Sequence, residues 1–398
     1  MEKEELKKAM HLSISKEVEQ WAEESQQIKD GYEFEDRLLL RMRNIGKILM
    51  EQSLGMVPKS PNQKKIHTCV GTLEVSNSHP LAQLKGSFKI SRKLQELMCM
   101  VGQSQVFEDG EELFMKMMGL PVSAKQVQRV SEHYGEHIEA EHQRYIEEGE
   151  SAPSIADKHT DTVYMMADGA MIYTREEGWK EMKVGRIFAQ KDCVRVQEKR
   201  NEIVKNQYVC HLGDHQEFLS KFECYVNDYR KKVFIADGAK WIWNWVKDTY
   251  PEAVQILDYY HAVEKISIYA AEQIPDTDQR KKWLAKQKEL LSDDKVVTVL
   301  NTIRQQQGRT PAAEKQRNAV IGYYENNLKR MQYKTFREGG YLIGSGPIES
   351  ANRTVLQQRL KLSGQKWNIK GAQRIINLRA YQKSDRWDDV VEIIKMAA

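Results

Sequence analysis

The sequence predicts an α/β fold in which helical regions precede and interrupt a domain built on a β-sheet. Three apolar runs separated by polar turns, at 162–174, 180–189 and 207–212, predict successive antiparallel strands. Two further runs, at 232–236 and 254–257, each precede a helix-like segment, which predicts strand–helix units on the same sheet. Most of the remaining chain places apolar residues at helical spacing in a charged background.

The N-terminal region, 1–90, is predicted to contain helices and loops. Apolar residues between Leu38 and Leu49 recur at helical spacings, so 1–55 is predicted to be helical. Prolines and glycines interrupt 56–90, which predicts a loop with short strands.

Residues 91–150 are predicted to form a helix-turn-helix-like DNA-binding region. One helix is predicted over 107–118 and a second begins at 124. The tight turn between them ends in Ser123, a residue type that suits a helix N-cap. Because any pair of antiparallel helices has the same outline, a DNA-binding and a purely structural interpretation both stay open.

The polar segment 147–160 has no periodic apolar positions and is interpreted as a linker. Three antiparallel strands followed by strand–helix–strand units have the outline of an RNase H-like α/β sheet, whose first part is predicted to span 161–264. The helical, polar residues 265–340 are predicted to be an insertion into this core. Residues 341–398 are predicted to supply its last helices and a basic C-terminus.

Three acidic residues lie in three different local structures of this region. Asp168 stands within a strand beside a glycine, Asp237 ends the most apolar strand, and Glu349 lies in the first turn of a late helix. Carboxylate oxygens suit Mg²⁺. Two such ions about 4 Å apart can contact both the attacking and the leaving oxygen of a phosphodiester. The three acids therefore predict a two-metal nuclease centre.

Each of these acids also has a structural interpretation. The pair Asp168 and Gly169 is a common hairpin turn. Asp237 could cap the following helix, and Glu349 could satisfy amides or the dipole at the start of its own helix. The catalytic interpretation is favoured because apolar residues flank Asp168 on both sides and because Ala-Asp-Gly-Ala occurs around both aspartates.

Asp258 and His261 follow the strand at 254–257 and are three residues apart, so they share one helix face. They are interpreted either as a buried hydrogen-bonded pair or as a pair that orients groups near the three acids. Both interpretations stay open from the sequence.

Basic residues are concentrated in the last third of the chain. Between Arg304 and Arg386 there are 17 Lys and Arg against 5 Asp and Glu, a local excess of 17 − 5 = 12, although the whole chain has a net charge of only +4. Such a surface attracts a polyanion, and a solvated helical face is the alternative. Arg353, Arg359 and Lys361 follow Glu349 and would place cations beside a scissile phosphate.

Several functional classes are disfavoured. The five cysteines are widely spaced with no C-x-x-C pair, which argues against a disulfide framework and favours a reducing compartment. No apolar run approaches the ~20 residues of a membrane span, and the charged N-terminus does not resemble a signal peptide. No phosphate-binding G-x-x-x-x-G-K-[ST] motif occurs. The protein is expected to be cytoplasmic, associated with the nucleoid, without a membrane partner.

Five strings around these residues, together with the segment 358–367, resemble the ISKra family of insertion-sequence transposases over about residues 95–385. The strings are Asp168-Gly-Ala-Met171, Trp179-Lys-Glu-Met-Lys-Val-Gly185, Ile235-Ala-Asp-Gly-Ala-Lys-Trp-Ile-Trp243, Ile256-Leu-Asp-Tyr-Tyr-His-Ala262 and Ile343-Gly-Ser-Gly-Pro-Ile-Glu-Ser-Ala-Asn352. The family's cysteine pairs ahead of the helix-turn-helix have no counterpart, since Cys69 stands alone there.

The resemblance implies a DDE-type enzyme with an RNase H-like catalytic domain. It implies that Asp168, Asp237 and Glu349 bind two Mg²⁺ ions, for which Mn²⁺ can substitute. It also implies that the helices before the last acid are the insertion domain. Asp258 and His261 resemble the Cys/Asp-x-x-His motif of the related Mutator-like group.

Such an enzyme would bind double-stranded DNA, both the terminal inverted repeats of its own element and a target, as a homo-oligomer. It would cut the element ends and transfer strands. A plain RNase H-like nuclease or resolvase, and a transposase-derived DNA-binding protein without activity, are the alternatives. The candidate DNA contacts are Arg353, Arg359, Lys361, Lys366, Lys125 and Arg129.

Overall fold

The structure is a computed structural model that describes residues 3–53, 63–76, 88–197 and 200–396. The chain divides into two compact units. Unit 1 comprises Met1–Glu139 and Arg386–Ala398, and unit 2 comprises Ala140–Asp385.

Unit 1 is mainly helical. Its first elements are α1 (Lys3–Ser25), α2 (Gly31–Ser53), β1 (Gln63–Thr68), β2 (Gly71–Ser76), α3 (Arg92–Ser104), α4 (Phe107–Met118) and α5 (Ala124–Glu148), whose last residues belong to unit 2. β1 and β2 pair as an antiparallel hairpin with a small buried cluster, Ile66, Leu73 and Val75. The helical prediction for 1–55 and the short strands expected within 56–90 are confirmed for the described residues. The rest of that loop prediction lies outside them.

The turn between α4 and α5 has the predicted capping residue. Gly119 ends α4 in the left-handed conformation with φ of 60°, which favours glycine. Ser123 Oγ accepts a hydrogen bond from the Gln126 N–H at 3.3 Å, and Gln126 Oε1 accepts one from the Ser123 N–H at 2.9 Å. The two helices and the Ser123 cap are therefore confirmed, and DNA contact by this pair of helices stays a prediction.

Unit 2 contains the sheet. Its strands are β3 (Thr162–Thr174), β4 (Gly178–Ala189), β5 (Cys193–Gln197), β6 (Arg200–Ile203), β7 (Gln207–Leu212), β8 (Lys231–Ala236) and β9 (Val254–Leu257). Five of them form one mixed sheet in the order β7-β4-β3-β8-β9. The β7–β4 and β4–β3 pairs are antiparallel, whereas β3–β8 and β8–β9 are parallel. The α/β class and all five predicted strands of this sheet are confirmed.

Strands β5 and β6 form a separate antiparallel hairpin where the sequence predicted a polar turn. Val194 and Val196 point to solvent, with 37% and 46% of their surface exposed. The apolar residues of β5 therefore do not mark a buried face.

Helices surround the sheet in sequence. They are α6 (His215–Val226), α7 (Lys240–Thr249), α8 (Tyr259–Gln273), α9 (Thr277–Ser292), α10 (Val296–Arg304), α11 (Pro311–Glu325), α12 (Tyr333–Glu338), α13 (Gly346–Ala351), α14 (Gln358–Leu360) and α15 (Ile369–Lys383). A π-helical segment, Asn352–Gln357, joins α13 to α14. The last helix, α16 (Trp387–Met396), belongs to unit 1, where it contacts α3.

The buried core of unit 2 continues from the sheet into the predicted insertion. Apolar residues of β3 and β8, such as Met165 and Phe234, share one cluster with Ile266 of α8, Leu300 of α10 and Tyr324 of α11. The helices predicted for 265–340 are confirmed, and they belong to the same compact unit as the sheet.

The segment interpreted as a linker is packed against unit 2. The Ala152 N–H donates to the Cys224 carbonyl at 2.9 Å, and the Ser154 hydroxyl donates to the Tyr229 hydroxyl at 2.8 Å. α5 extends to Glu148, so the two compact units meet within this helix and not within 147–160. Within the described residues, no helix combines the length and apolar character that a membrane span requires.

Candidate metal centre

The parallel half of the sheet brings three aspartates to one edge. Met166 of β3 pairs with Ile235 of β8, and Ala236 of β8 pairs with Leu257 of β9. Continuing these registers places Asp168, Asp237 and Asp258 at the same level, on neighbouring strands about 4.8 Å apart. The ends of parallel strands are where ligands gather in α/β sheets.

The start of α13 brings Glu349 to the same edge. The Ser345 N–H donates to Asp258 Oδ2 at 2.9 Å, and the Ser345 hydroxyl also contacts Asp258 Oδ2. This hydroxyl lies 3.3 Å from Glu349 Oε1. One ligand atom from each of Asp258, His261 and Glu349 therefore lies within 4.8 Å of the others.

Asp258 is the fully buried member of this group, with 0% of its surface exposed. Its Oδ1 accepts the N–H groups of Tyr260 at 2.5 Å and His261 at 3.2 Å, so it caps α8. Its Oδ2 lies 3.2 Å from His261 Nδ1. Burial alone would raise the pKa of Asp258, but hydrogen bonds from His261 and Ser345 lower it below its ordinary value.

His261 is held as a cation by this arrangement. Its hydrogen bond to Asp258, together with the charge of Asp258 and the more distant Asp237, raises the pKa of His261 to about 9 despite partial burial. The pair thus corresponds to the hydrogen-bonded interpretation of the sequence. His261 Nδ1 faces Asp258, so the ring acts as a partner of Asp258 and not as an evident metal ligand.

The raised pKa predicts a pH-dependent stability. Protonated His261 contributes to stability below its unfolded pKa of 6.5, and this contribution is lost as pH rises through about 9. We expect the free energy of unfolding, measured by urea titration in EDTA, to fall between these values. In His261→Ala this part of the fall should be absent. A wild-type and a His261→Ala profile of the same shape would contradict the assignment.

Asn352 connects the helix of Glu349 to the strand of Asp168. Its Nδ2 donates to Asp168 Oδ2 at 2.8 Å and to the Gly169 carbonyl at 3.2 Å. Asn352 begins the π-helical segment, a feature often found at functional sites. Its Oδ1 is buried and has no hydrogen-bond partner in the described part of the chain. Sequence reasoning missed this residue, although its position three residues after Glu349 places it on the same helix face.

We expect Asn352→Ala to lower activity more than stability. The substitution frees the Asp168 carboxylate, and a metal site depends on carboxylates held in one orientation. The expected loss in metal-dependent DNA cleavage is about 10–100-fold, because groups that orient metal ligands contribute about this much. Asn352→Asp should be worse than Asn352→Ala, since a second carboxylate would repel Asp168. Full activity of both variants would contradict this role.

The three predicted metal-binding acids remain accessible. Asp168 is half-buried, whereas Asp237 and Glu349 are exposed. Asp237 Oδ1 accepts the Ala239 N–H at 2.9 Å, which fixes the side chain just before α7. The capping role considered for Asp237 is therefore partly present, while Ala239 itself takes the N-cap position of α7.

These side chains suit a hard divalent ion. Asp168, Asp237 and Glu349 offer carboxylate oxygens, and the unpartnered amide oxygen of Asn352 lies beside Asp168. Oxygen donors of this kind fit Mg²⁺, which retains several waters and needs only a few protein ligands. The chemistry of the donor set thus fits the predicted Mg²⁺, and Mn²⁺ accepts the same ligands.

The candidate DNA contacts have different placements. In unit 1, Lys125 and Arg129 are exposed on α5, and the Arg129 guanidinium lies 5.5 Å from the centre of the Phe88 ring. In unit 2, Arg353, Lys361 and Lys366 are exposed.

Arg359 needs a correction. It is only 1% exposed, and its guanidinium lies 4.8 Å from the centre of the Trp367 ring. A contact between Arg359 and a DNA phosphate does not fit this placement. Packing of the chain after α14 over this side chain turned a residue of the basic run into an interior residue.

A cationic cavity that the sequence did not predict adjoins Asp237. It has a volume of about 420 Å³ and begins at Gly238. Lys240, Lys247 and Arg330 line it, and the described lining contains no carboxylate. Lys240 and Lys247 are seven residues apart on α7, which places them on one helix face. A cavity with this charge beside an acidic cluster suits a polyanion that reaches the acids.

A comparison of this chain with protein-family models found no match, and a search of the curated proteins found none. The functional assignment therefore depends on the geometry described above and on the resemblance of the motifs.

Proposed function

We propose that this protein is a DDE transposase that binds the terminal inverted repeats of its insertion sequence, cleaves DNA and transfers strands. The observation that carries the proposal is that Asp168 and Asp237 lie at the same level on neighbouring parallel strands, while Asn352 ties the helix of Glu349 to Asp168. Two strand acids and one helix acid at one sheet edge are the elements of a two-metal centre.

The sheet topology supports an RNase H-like core. Numbering the five strands of the sheet in chain order gives the spatial order 3-2-1-4-5, with an antiparallel first half and a parallel second half. This is the arrangement that the three antiparallel strands and the strand–helix–strand units led us to expect. The helices between β9 and α13 stand where an insertion before the last acid is expected.

The residues of the site would divide the work as follows. Asp168, Asp237 and Glu349 would hold two Mg²⁺ ions. When bound, such ions lower the pKa of the attacking oxygen and neutralise charge on the phosphate. Asn352 orients Asp168, and Ser345 links Glu349 to the buried Asp258. Water would be the nucleophile for cleavage, and the freed 3′-hydroxyl would be the nucleophile for strand transfer.

The cationic cavity beside Asp237 supports DNA as the substrate. Exchanging both Lys240 and Lys247 for alanine should reduce DNA affinity for all sequences alike and lower the slope of log affinity against log salt by up to about two. Lys282→Ala with Lys286→Ala is the matched control, since both are exposed on α9 and line none of the cavities described here. Equal slopes for the two double variants, measured by fluorescence anisotropy, would remove this support.

A strand-transfer assay tests the proposal. The substrate is a labelled duplex that carries the inverted repeats flanking the gene, incubated with the protein, a plasmid and Mg²⁺. We expect cleavage at the repeat end and joining of the labelled 3′ end to the plasmid. Cleavage without joining would favour a nuclease or resolvase. Binding without cleavage would favour a DNA-binding protein without activity.

A further inference from the structure

A second cavity lies on the other side of Glu349, and the chemistry proposed above does not use it. Its volume is about 670 Å³, and it opens between β4, β6 and the start of α13. Gly346, Pro347 and Ser350, the close sequence neighbours of Glu349, form part of its lining. The size is that of a pocket for a ligand of one or two nucleotides.

A buried guanidinium forms one wall of this cavity. Arg186 on β4 is only 7% exposed, and it donates from Nε to Asn206 Oδ1 at 2.8 Å and from Nη1 to the Pro347 carbonyl. Its guanidinium carbon lies 5.6 Å from the centres of both the Phe188 and Tyr208 rings.

Arg186 lacks a negative partner within the protein. No carboxylate among the described residues lies within ion-pair distance of it, and its pKa is lowered by burial. A buried cation without a counter-charge is costly, and an anion bound in the cavity would offset that cost. Arginine is also well suited to phosphate because its planar group can donate two parallel hydrogen bonds.

An exposed aromatic ring forms another part of the lining. Tyr260 is 66% exposed, although it lies between Asp258 and His261 in the sequence. A Cβ built at Gly344 would lie 2.6 Å from its ring, so the absence of a side chain at Gly344 allows the ring to lie against the backbone. The Tyr260 N–H is bound by Asp258 Oδ1, which fixes the start of α8. The ring is therefore a supported surface on which a base can stack.

One acidic group limits where an anion can bind. Glu202 on β6 is exposed and also lines the cavity. Its charge opposes a phosphate in its vicinity. A phosphate would therefore bind at Arg186, on the side of the cavity that Pro347 and Asn206 define.

We propose that this cavity binds one unstacked nucleotide of the DNA strand that is cut, with its base on Tyr260 and a phosphate on Arg186. The inference rests on the proposed function, because it takes DNA as the substrate of the neighbouring acids. Stacking is tolerant of sequence, so the cavity would recognise a displaced nucleotide and not a particular base.

Fluorescence of 2-aminopurine tests this inference without requiring cleavage. The base analogue is placed at successive positions across the repeat end and its flank, and emission is measured on binding in EDTA. We expect one position to change its emission in the wild-type complex. Tyr260→Phe should keep this change, whereas Tyr260→Ala should abolish it and weaken binding of that substrate by roughly tenfold. Trp179→Ala is the control, since Trp179 is 61% exposed and lies outside the cavity lining.

Two further arms separate the possible outcomes. Arg186→Lys should keep most of the emission change and Arg186→Gln should reduce it, with thermal unfolding of both variants as the check on folding. Free deoxyadenosine monophosphate at millimolar concentration should not compete, and competition would overturn the assignment to a DNA strand. An emission change that is identical in wild type and Tyr260→Ala would overturn the site, even if the wild type joins strands. A Tyr260-dependent change in a protein that never cleaves DNA would support the site and count against the transposase.

Discussion

Asp237→Asn is expected to lower Mg²⁺-dependent DNA cleavage by about three orders of magnitude or more, while DNA binding stays within about twofold. The amide retains the size of the side chain and the oxygen that accepts the Ala239 N–H. It removes a negative charge that a divalent ion needs, because an amide oxygen is a much weaker ligand than a carboxylate. Single-turnover cleavage and anisotropy on the same duplex measure the two quantities.

Asp248→Asn provides the matched control for this experiment. Asp248 is an exposed aspartate on α7, the helix that follows Asp237, and it does not belong to the acidic edge of the sheet. We expect its cleavage rate to equal that of the wild type. Cleavage by the Asp237→Asn protein at the wild-type rate would rule out Asp237 as a metal ligand.

Asp258→Ala is expected to lower the free energy of unfolding by about 3–5 kcal/mol, as removal of one partner from a buried charged pair usually does. The buried carboxylate accepts hydrogen bonds from Tyr260, His261 and Ser345, and its loss leaves these donors without an acceptor. The change also leaves the His261 cation beside a cavity. Urea unfolding in EDTA measures the effect without any contribution from bound metal.

Asp214→Ala is the comparison for this variant. Asp214 caps α6 through the Gln216 N–H at 2.6 Å, as Asp258 caps α8, but it is exposed. An exposed cap contributes about 1 kcal/mol, so the difference between the two variants isolates the buried interactions. Equal destabilisation by the two substitutions would show that Asp258 acts only as a helix cap.

The strands were predictable because their apolar runs are bounded by turns and packed on both sides. β3 and β7 begin and end where the sequence predicted, and β9 does so as well. The β5–β6 hairpin was not predictable in this way, since Val194 and Val196 are exposed and form no buried face. The alternation on which a strand prediction depends reports burial, and this hairpin buries little.

The candidate site was predictable where its residues interrupt a local pattern. Asp168 and Asp237 stand out because a charge in or at the end of an apolar strand needs an explanation. Asn352 and Ser345 are polar residues at a helix start, where polar residues are common, so only the three-dimensional contacts reveal their role. The burial of Arg359 was hidden for the opposite reason, because nothing in the basic run distinguishes the one side chain that later chain covers.

Anomalous scattering from Mn²⁺ in crystals of the protein bound to DNA tests the central claim most directly. The transposase account predicts two manganese positions within coordination distance of Asp168, Asp237 and Glu349, with the scissile phosphate between them. The structure also offers a competing group, Asp258, His261 and Glu349, whose ligand atoms already lie within 4.8 Å of one another. Manganese bound by that group, with none at Asp168 or Asp237, would contradict the two-metal centre proposed here.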